Sequence, residues 1–458
     1  MEKLAKRVLF LLRYNHDREN WSFGLEDKET WKVITTIAQH KEFSEIIDIE
    51  DTEGWLIDIF NWLNFKDKNM FELNDALSVL ELLKKNLKIN IDDYWVVFPL
   101  VNATLNDTIC LDESIYIIGG DDKEHKLNQL KQITNLPIQE LDSRFEHTIR
   151  SRSPIFLSHP IIAIKIRHQY SSVNRIASNC AFYAVSLLNV MYRAYIYPNY
   201  ENTKVSVGFR QLIKNGSLGD YNKLNRHIAI HGEKNWIHIP LNFNYNCSFD
   251  LEWLKNREHT KRFISLYRWS QETNDVDELK ARFLRSIKFF MKAINFGKRS
   301  NSLDSESDTV LYINIAAEVM LLKKNEDKHT RKRKLTFLLD HLVTLGQLDQ
   351  ASAIDKVCKS RNEFVHDGLD YIDDYYYRNK VDPIKEEAKG KTDLEVFIRI
   401  IAILISKADY YIQYALENKK HSNFNAKESW FNLLSDYFDN GEIPDELIEV
   451  MQEGKKRL

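Results

Sequence analysis

Beyond residue 276 the apolar side chains recur every three or four positions. They run Leu279, Phe283, Ile287, Phe290 and Ile294, then 308–324, then Leu335, Leu338, Leu342 and Leu345, then 350–366, then 392–417. At about 100° per residue this spacing gathers the apolar groups of each segment into one stripe, which can be hidden from water only against other helices. Short connections between such segments predict a bundle of about five helices over 276–420. The tail from 421 to 458, with SWFNLLSDYF and IPDELIEVMQ, predicts further short amphipathic helices.

The region before the bundle has two other textures. Residues 1–90 carry amphipathic stretches around Trp31 to Ala38, Trp55 to Leu63 and Leu77 to Leu87, separated by charged turns, and predict a helical N-terminal region. From 91 the run DDYWVVFPLVNATLNDTICLDESIYIIGG reads as β-rich, stopping at Gly119-Gly120 before a helix-like KEHKLNQLKQITN. Apolar and polar residues alternate on both sides of a Gly-Glu-Lys-Asn turn, which predicts a hairpin near 227–242. Residues 91–275 are therefore expected to form a mixed α/β domain. The fold class is mainly α.

Charge and cysteine usage narrow the classes of partner. The 64 Lys and Arg nearly balance 67 Asp and Glu, so any nucleic acid must be held by a local basic surface. Cys110, Cys180, Cys247 and Cys358 lie far apart without a CxxC pair, which excludes a zinc knuckle and suits buried or inert thiols in a reducing compartment. The five-residue apolar run before Arg13 is short for a signal peptide. The runs CAFYAVSLLNVMY and VLYINIAAEVMLL fall short of the ~20 residues a membrane span needs. A cytoplasmic protein without membrane contact is expected.

The chemistry-bearing stretch is KSRNEFVHDG, residues 359–368. Ile354, Val357, Cys358, Phe364 and Val365 fall on one helical stripe, and Arg361 falls near its centre, with Asn362 and His366 flanking it. An arginine among apolar neighbours needs a partner. In DTVLYINIAAEVMLL, Glu318 occupies the corresponding place on a stripe of Leu311, Ile315 and Leu322, which makes it the candidate. A purely structural ion pair fixing helix register is the competing account. Arg and His separated by four to six residues also occur at Arg152 to His159 and Arg226 to His231, but Pro154 interrupts the first and the expected hairpin overlaps the second. His227, His231 and His238 could share a hairpin face. The first two would then lie about 13 Å apart along a strand, too far for one metal ion.

These residues carry a resemblance to the HEPN superfamily, and within it to the Apea-like branch, over about 276–420. LYINIAAEVMLL is similar to that branch's second helix, RKRKLTFLLDHL to its third, and IDKVCKSRNEFVHDG to its signature of an Arg, a polar residue and a His near a helix end. More loosely, VVFPLVNATLNDTICLDESIYIIGG and AFYAVSLLNVMY resemble the α/β region that precedes such bundles in large defence-associated proteins. The resemblance implies a homodimer with the Arg and His of both copies lining one cleft. It implies RNA, and tRNA among the candidates, as substrate, cut without metal or cofactor to a 2′,3′-cyclic phosphate. Arg361 and His366 are then catalytic and Asn362 orients the phosphate or the imidazole. The implied setting is anti-phage defence, abortive infection or toxin-like growth arrest. Domains of this fold that lack the pair act as silent scaffolds for dimerisation and for partner or nucleotide binding, the alternative function. Around the site, Arg331, Lys332, Arg333 and Lys334 are candidates to steer RNA phosphates, and Tyr371 to stack on a base.

Overall fold

The computed structural model describes residues 2–17, 27–38, 40, 42–43, 49–63, 70–89, 91–100, 103–135, 159–169, 173–196, 227–231, 236–240, 250–271, 278–296, 304–322, 334, 350–367 and 383–409. They form eleven α-helices and one six-stranded antiparallel sheet, a mainly helical protein. The expected tail over 421–458, and the Leu335 to Leu345 segment, lie outside the described residues.

Four helices open the chain: α1 (Glu2–Asp17), α2 (Lys28–Ala38), α3 (Ile49–Trp62) and α4 (Leu73–Ile89). Leu4, Val8, Leu11 and Leu12 of α1 meet Val79, Leu80, Leu83 and Leu87 of α4 in a core of their own. The period of the sequence is directly the period of burial here, because each helix has neighbours on one side only.

The sheet strands are β1 (Ile91–Pro99), β2 (Ile109–Asp112), β3 (Ile115–Ile118), β4 (Ile161–Gln169), β5 (His227–His231) and β6 (Trp236–Pro240). Their order is β2-β3-β4-β1-β5-β6, with Val96 opposite Ile164 and Ile117 opposite Ile162. The β5–β6 hairpin stands where alternation predicts it. One sheet face, with Val96, Phe98, Ile115, Ile162 and Ile164, joins the large core. The other, with Val97, Ile118, Ile161 and Ala163, is covered by Leu127 and Leu130 of α5 (Lys123–Thr134).

Helix α6 (Val173–Met191) packs between the sheet and the helices that follow, which explains why CAFYAVSLLNVM is apolar almost all round. No helix among the described residues is long and apolar enough to cross a membrane. A π-helical turn (Tyr192–Ile196) closes α6. Next come α7 (Arg257–Gln271), α8 (Glu278–Phe296), α9 (Asp304–Leu321), α10 (Gln350–Asp367) and α11 (Pro383–Ser406). One hydrophobic core runs from the sheet through α6, α7 and α8 to α11. Cys180 and Cys358 are buried and Cys110 is exposed on β2, all three as free thiols.

Two polar features hold this frame. Arg262 of α7 is 6% exposed and forks onto Asp409, with Nη1 2.7 Å from Oδ2, while also donating to the Ser406 carbonyl, so α7 is clamped to the end of α11. Behind the sheet, Lys126 Nζ donates to the His159 carbonyl at 3.1 Å, and both residues are buried. Burial, and then the nearby ammonium of Lys126, push the His159 imidazole down to about 4. Its ordinary value in an unfolded chain is about 6.5, so the unfolded state binds the proton first as pH falls. The stability contributed by neutral His159 is complete above about pH 6.5 and is lost between about 6.5 and 4, on the order of 3 kcal/mol. Urea melts across this range should show that slope, and His159→Gln should flatten it.

At Gly119 a Cβ would lie 2.5 Å from the Leu105 carbonyl oxygen and 2.6 Å from that of Asp107, and the adjoining Gly120 has φ +91° and donates to Leu105. Gly119→Ala should therefore lower the unfolding free energy by about 1–3 kcal/mol in chemical denaturation, since backbone must shift to admit the methyl group.

Candidate functional site

Helix α9 lies between α8 and α10. Against α8 it runs antiparallel: Ser286 Oγ donates to the Ala316 carbonyl at 2.9 Å and Thr309 Oγ1 to that of Ala293 at 3.1 Å. Against α10 it runs in the same direction, joined by two rungs one turn apart. In the first, Asn314 Nδ2 donates to the carbonyls of Val310 at 2.7 Å and Val357 at 3.4 Å. In the second, Glu318 Oε1 lies 3.6 Å from Arg361 Nη2. Helix α10 is also tied to α11, with Lys356 Nζ 3.7 Å from Asp393 Oδ2.

The stripe expected on α9 needs correction. Leu311, Ile315 and Leu322 are half-buried, and the core is filled instead by Val310, Ile313, Asn314, Ala316, Ala317, Met320 and Leu321. Glu318 thus sits on the outer rim of the helix, 25% exposed, and Arg361 faces it from α10 at 24%. On α10, Ile354, Val357 and Cys358 of the expected stripe are buried, whereas Val365 is 48% exposed, a correction to its place in that stripe.

The C-terminal end of α9 draws cations together. Its last carbonyls carry the negative end of the helix dipole and have no helical donors of their own. Arg282 of α8 supplies donors to the Val319 carbonyl, at 2.6 Å, and to that of Leu322 at 2.5 Å. Lys334 Nζ, fully buried, supplies another to Leu321 at 3.0 Å. Lys334 therefore does not face solvent or RNA, which corrects the expectation that it steers phosphates: its charge is spent on the helix end. No family model, curated protein or solved structure matches this chain.

Of the other candidate residues, Asn362 and His366 occupy helical backbone positions in the last turns of α10, and their side chains lie outside the described part of the structure. Arg331, Lys332, Arg333 and Tyr371 are likewise outside it. The expected reading missed Asn314 and Arg282. Asn314 left a signal, an amide inside the otherwise apolar YINIAA, where a buried side chain must find hydrogen-bond partners. Arg282 left none, since it is one of several basic residues along α8.

The Glu318–Arg361 contact lies between exposed and buried pairs, so its coupling should be about 1 kcal/mol. A double-mutant cycle of Glu318→Ala and Arg361→Ala in urea should return that value. A coupling indistinguishable from zero would mean that Glu318 does not hold the guanidinium.

Proposed function

We propose that the chain is a metal-independent endoribonuclease of the HEPN type, with Arg361 and His366 as its working pair. The observation that carries the reading is the state of Arg361 compared with Arg262. A structural arginine in this protein is sealed: Arg262 is 6% exposed and its guanidinium is bonded in a fork at 2.7 Å. Arg361 lies 3.6 Å from the Glu318 carboxylate and remains 24% exposed. Partial exposure is a condition an anion-binding arginine must meet, since a sealed guanidinium could not reach a phosphate.

The chemistry follows from the two residue types. His366 acts as the general base that takes the proton of a ribose 2′-hydroxyl. The 2′-oxygen forms a bond to the adjacent phosphorus, the phosphorus to 5′-oxygen bond breaks, and the leaving oxygen takes up a proton. Products are a 2′,3′-cyclic phosphate and a 5′-hydroxyl. Arg361 balances the extra negative charge at phosphorus in the transition state, and Asn362 orients the phosphate or the imidazole. Two copies facing each other across this helix end would supply both pairs to one cleft, and exposed Val365 beside Arg361 offers an apolar contact for that dimer. Residues upstream of 276 would sense the trigger that licenses cleavage, in anti-phage defence or growth arrest.

Purified protein in EDTA should cleave RNA to cyclic phosphate ends. Arg361→Ala and His366→Ala should each lower the rate by about 10²-fold or more while leaving the fold intact. Retained cleavage in both variants would remove this pair from the chemistry. A well-folded dimer that cuts neither tRNA, messenger-like RNA nor total RNA would favour a silent scaffold.

A further inference from the structure

We infer that the outer face of α8 and α9 is a binding track for single-stranded RNA, an inference that rests on the ribonuclease reading and extends it to where the substrate lies. Helix α8 carries Lys280, Arg282, Arg285, Lys288 and Lys292 against one carboxylate, Glu278. Two of these cations serve the fold: Arg282 caps α9, and buried Lys280 stands 5.2 Å over the Trp269 ring. The other three, Arg285, Lys288 and Lys292, are exposed. Their spacing of three and four residues sets them in one line about 10 Å long on the helix surface. Among the described residues no carboxylate forms an ion pair with any of them.

A row of cations on one helix is ordinarily just a solvated face. What sets this one apart is the pair of rings beside it. Phe289 of α8 and Tyr312 of α9 stack across the helix junction with centroids 6.4 Å apart, each packed against the core on one side and partly open to solvent. The Lys292 ammonium stands 5.4 Å from both ring centroids. Cations that track a backbone, interleaved with rings on which a base can stack, are the combination that holds single strands without reading their sequence.

The line also leads toward the candidate site. Because Ala316 is level with Ser286 and Ala293 with Thr309, the Arg285 end of the line is level with Glu318, and hence with Arg361 on the far side of α9. Among the described residues, Ile315 and Val319 on the half-buried outer face of α9 lie between them. A strand lying along α8 would cross α9 at this level and reach Arg361. With a net charge of −3 on the chain, a polyanion needs such a local surface to be held.

The test is fluorescence anisotropy of the full chain carrying His366→Ala with a labelled, unstructured 20-nucleotide RNA, in EDTA, across a sodium chloride series. The combined Arg285→Ala, Lys288→Ala and Lys292→Ala variant should bind at least tenfold more weakly at low salt. The slope of log affinity against log salt should become shallower by about 2, three contacts at ~0.7 each. Tyr312→Ala should weaken binding about fivefold with its slope unchanged, the signature of lost stacking rather than lost charge. Lysine-to-arginine replacements at 288 and 292 should preserve binding. Affinity and slope equal to the unsubstituted protein in the triple variant would overturn the track, whether or not Arg361→Ala abolishes cleavage. If instead the triple variant binds weakly while the unsubstituted chain never cuts RNA, the track stands and the nuclease reading falls.

Discussion

The packing of α9 against α10 inside the shared core sets how the two helices lie side by side, and everything proposed for Arg361 depends on that alignment. Asn314 is matched at 2.7 Å by the Val310 carbonyl of its own helix, so its longer reach of 3.4 Å to Val357 marks the alignment, while the close-packed side chains of both helices resist sliding by a turn. The same register carries Glu318 to the level of Arg361 one turn further on. Both polar contacts follow from the packing. An ion pair at 3.6 Å between partly exposed groups would not by itself hold two helices in place.

The helices were legible because their apolar period survives in sequence wherever a helix has neighbours on one side, as α1 and α4 do. Helix α9 defeats that rule. It has α8, α10 and α11 as neighbours, so its buried arc is broad and is filled by Ala316, Ala317 and Asn314 as much as by large residues. Counting only large apolar groups selects Leu311, Ile315 and Leu322, which lie on the rim. The proximity of Glu318 and Arg361 could still be read, because rim positions on neighbouring helices also meet. Strand β4 escaped for the opposite reason. Ile161, Ile162, Ala163 and Ile164 are all buried, sandwiched between α5 on one face and the large core on the other, so no alternation marks them as a strand. The β5–β6 hairpin, with alternation on both sides of a short turn, was readable.

Basic residues show how little local sequence density says about location. Lys334 ends the densest basic run in the chain, yet it is fully buried and serves as a cap for α9. Arg285, Lys288 and Lys292 are dispersed in sequence and form no such run, but the helix brings them into line on the surface. The carbonyls at the end of a buried helix are a strong sink for a nearby ammonium, since without a donor they would be both desolvated and unmatched.

The two arginines of the helical core illustrate how one chemistry serves two ends. Arg262 has every reason to be immobile: desolvated, forked onto Asp409 and bonded to the Ser406 carbonyl, it clamps α7 to α11, and breaking it would strand a buried carboxylate. Arg361 is held by the packing of α10 on α9 and by a carboxylate far enough away to leave its charge partly in solvent. A guanidinium that binds a phosphate must be positioned before the phosphate arrives, or ordering it then costs affinity. It must also remain accessible, or the ligand has to displace the existing partner. Packing of α10 on α9, with a carboxylate 3.6 Å away, gives Arg361 a fixed position and partial access together, which is what the proposed role asks of it.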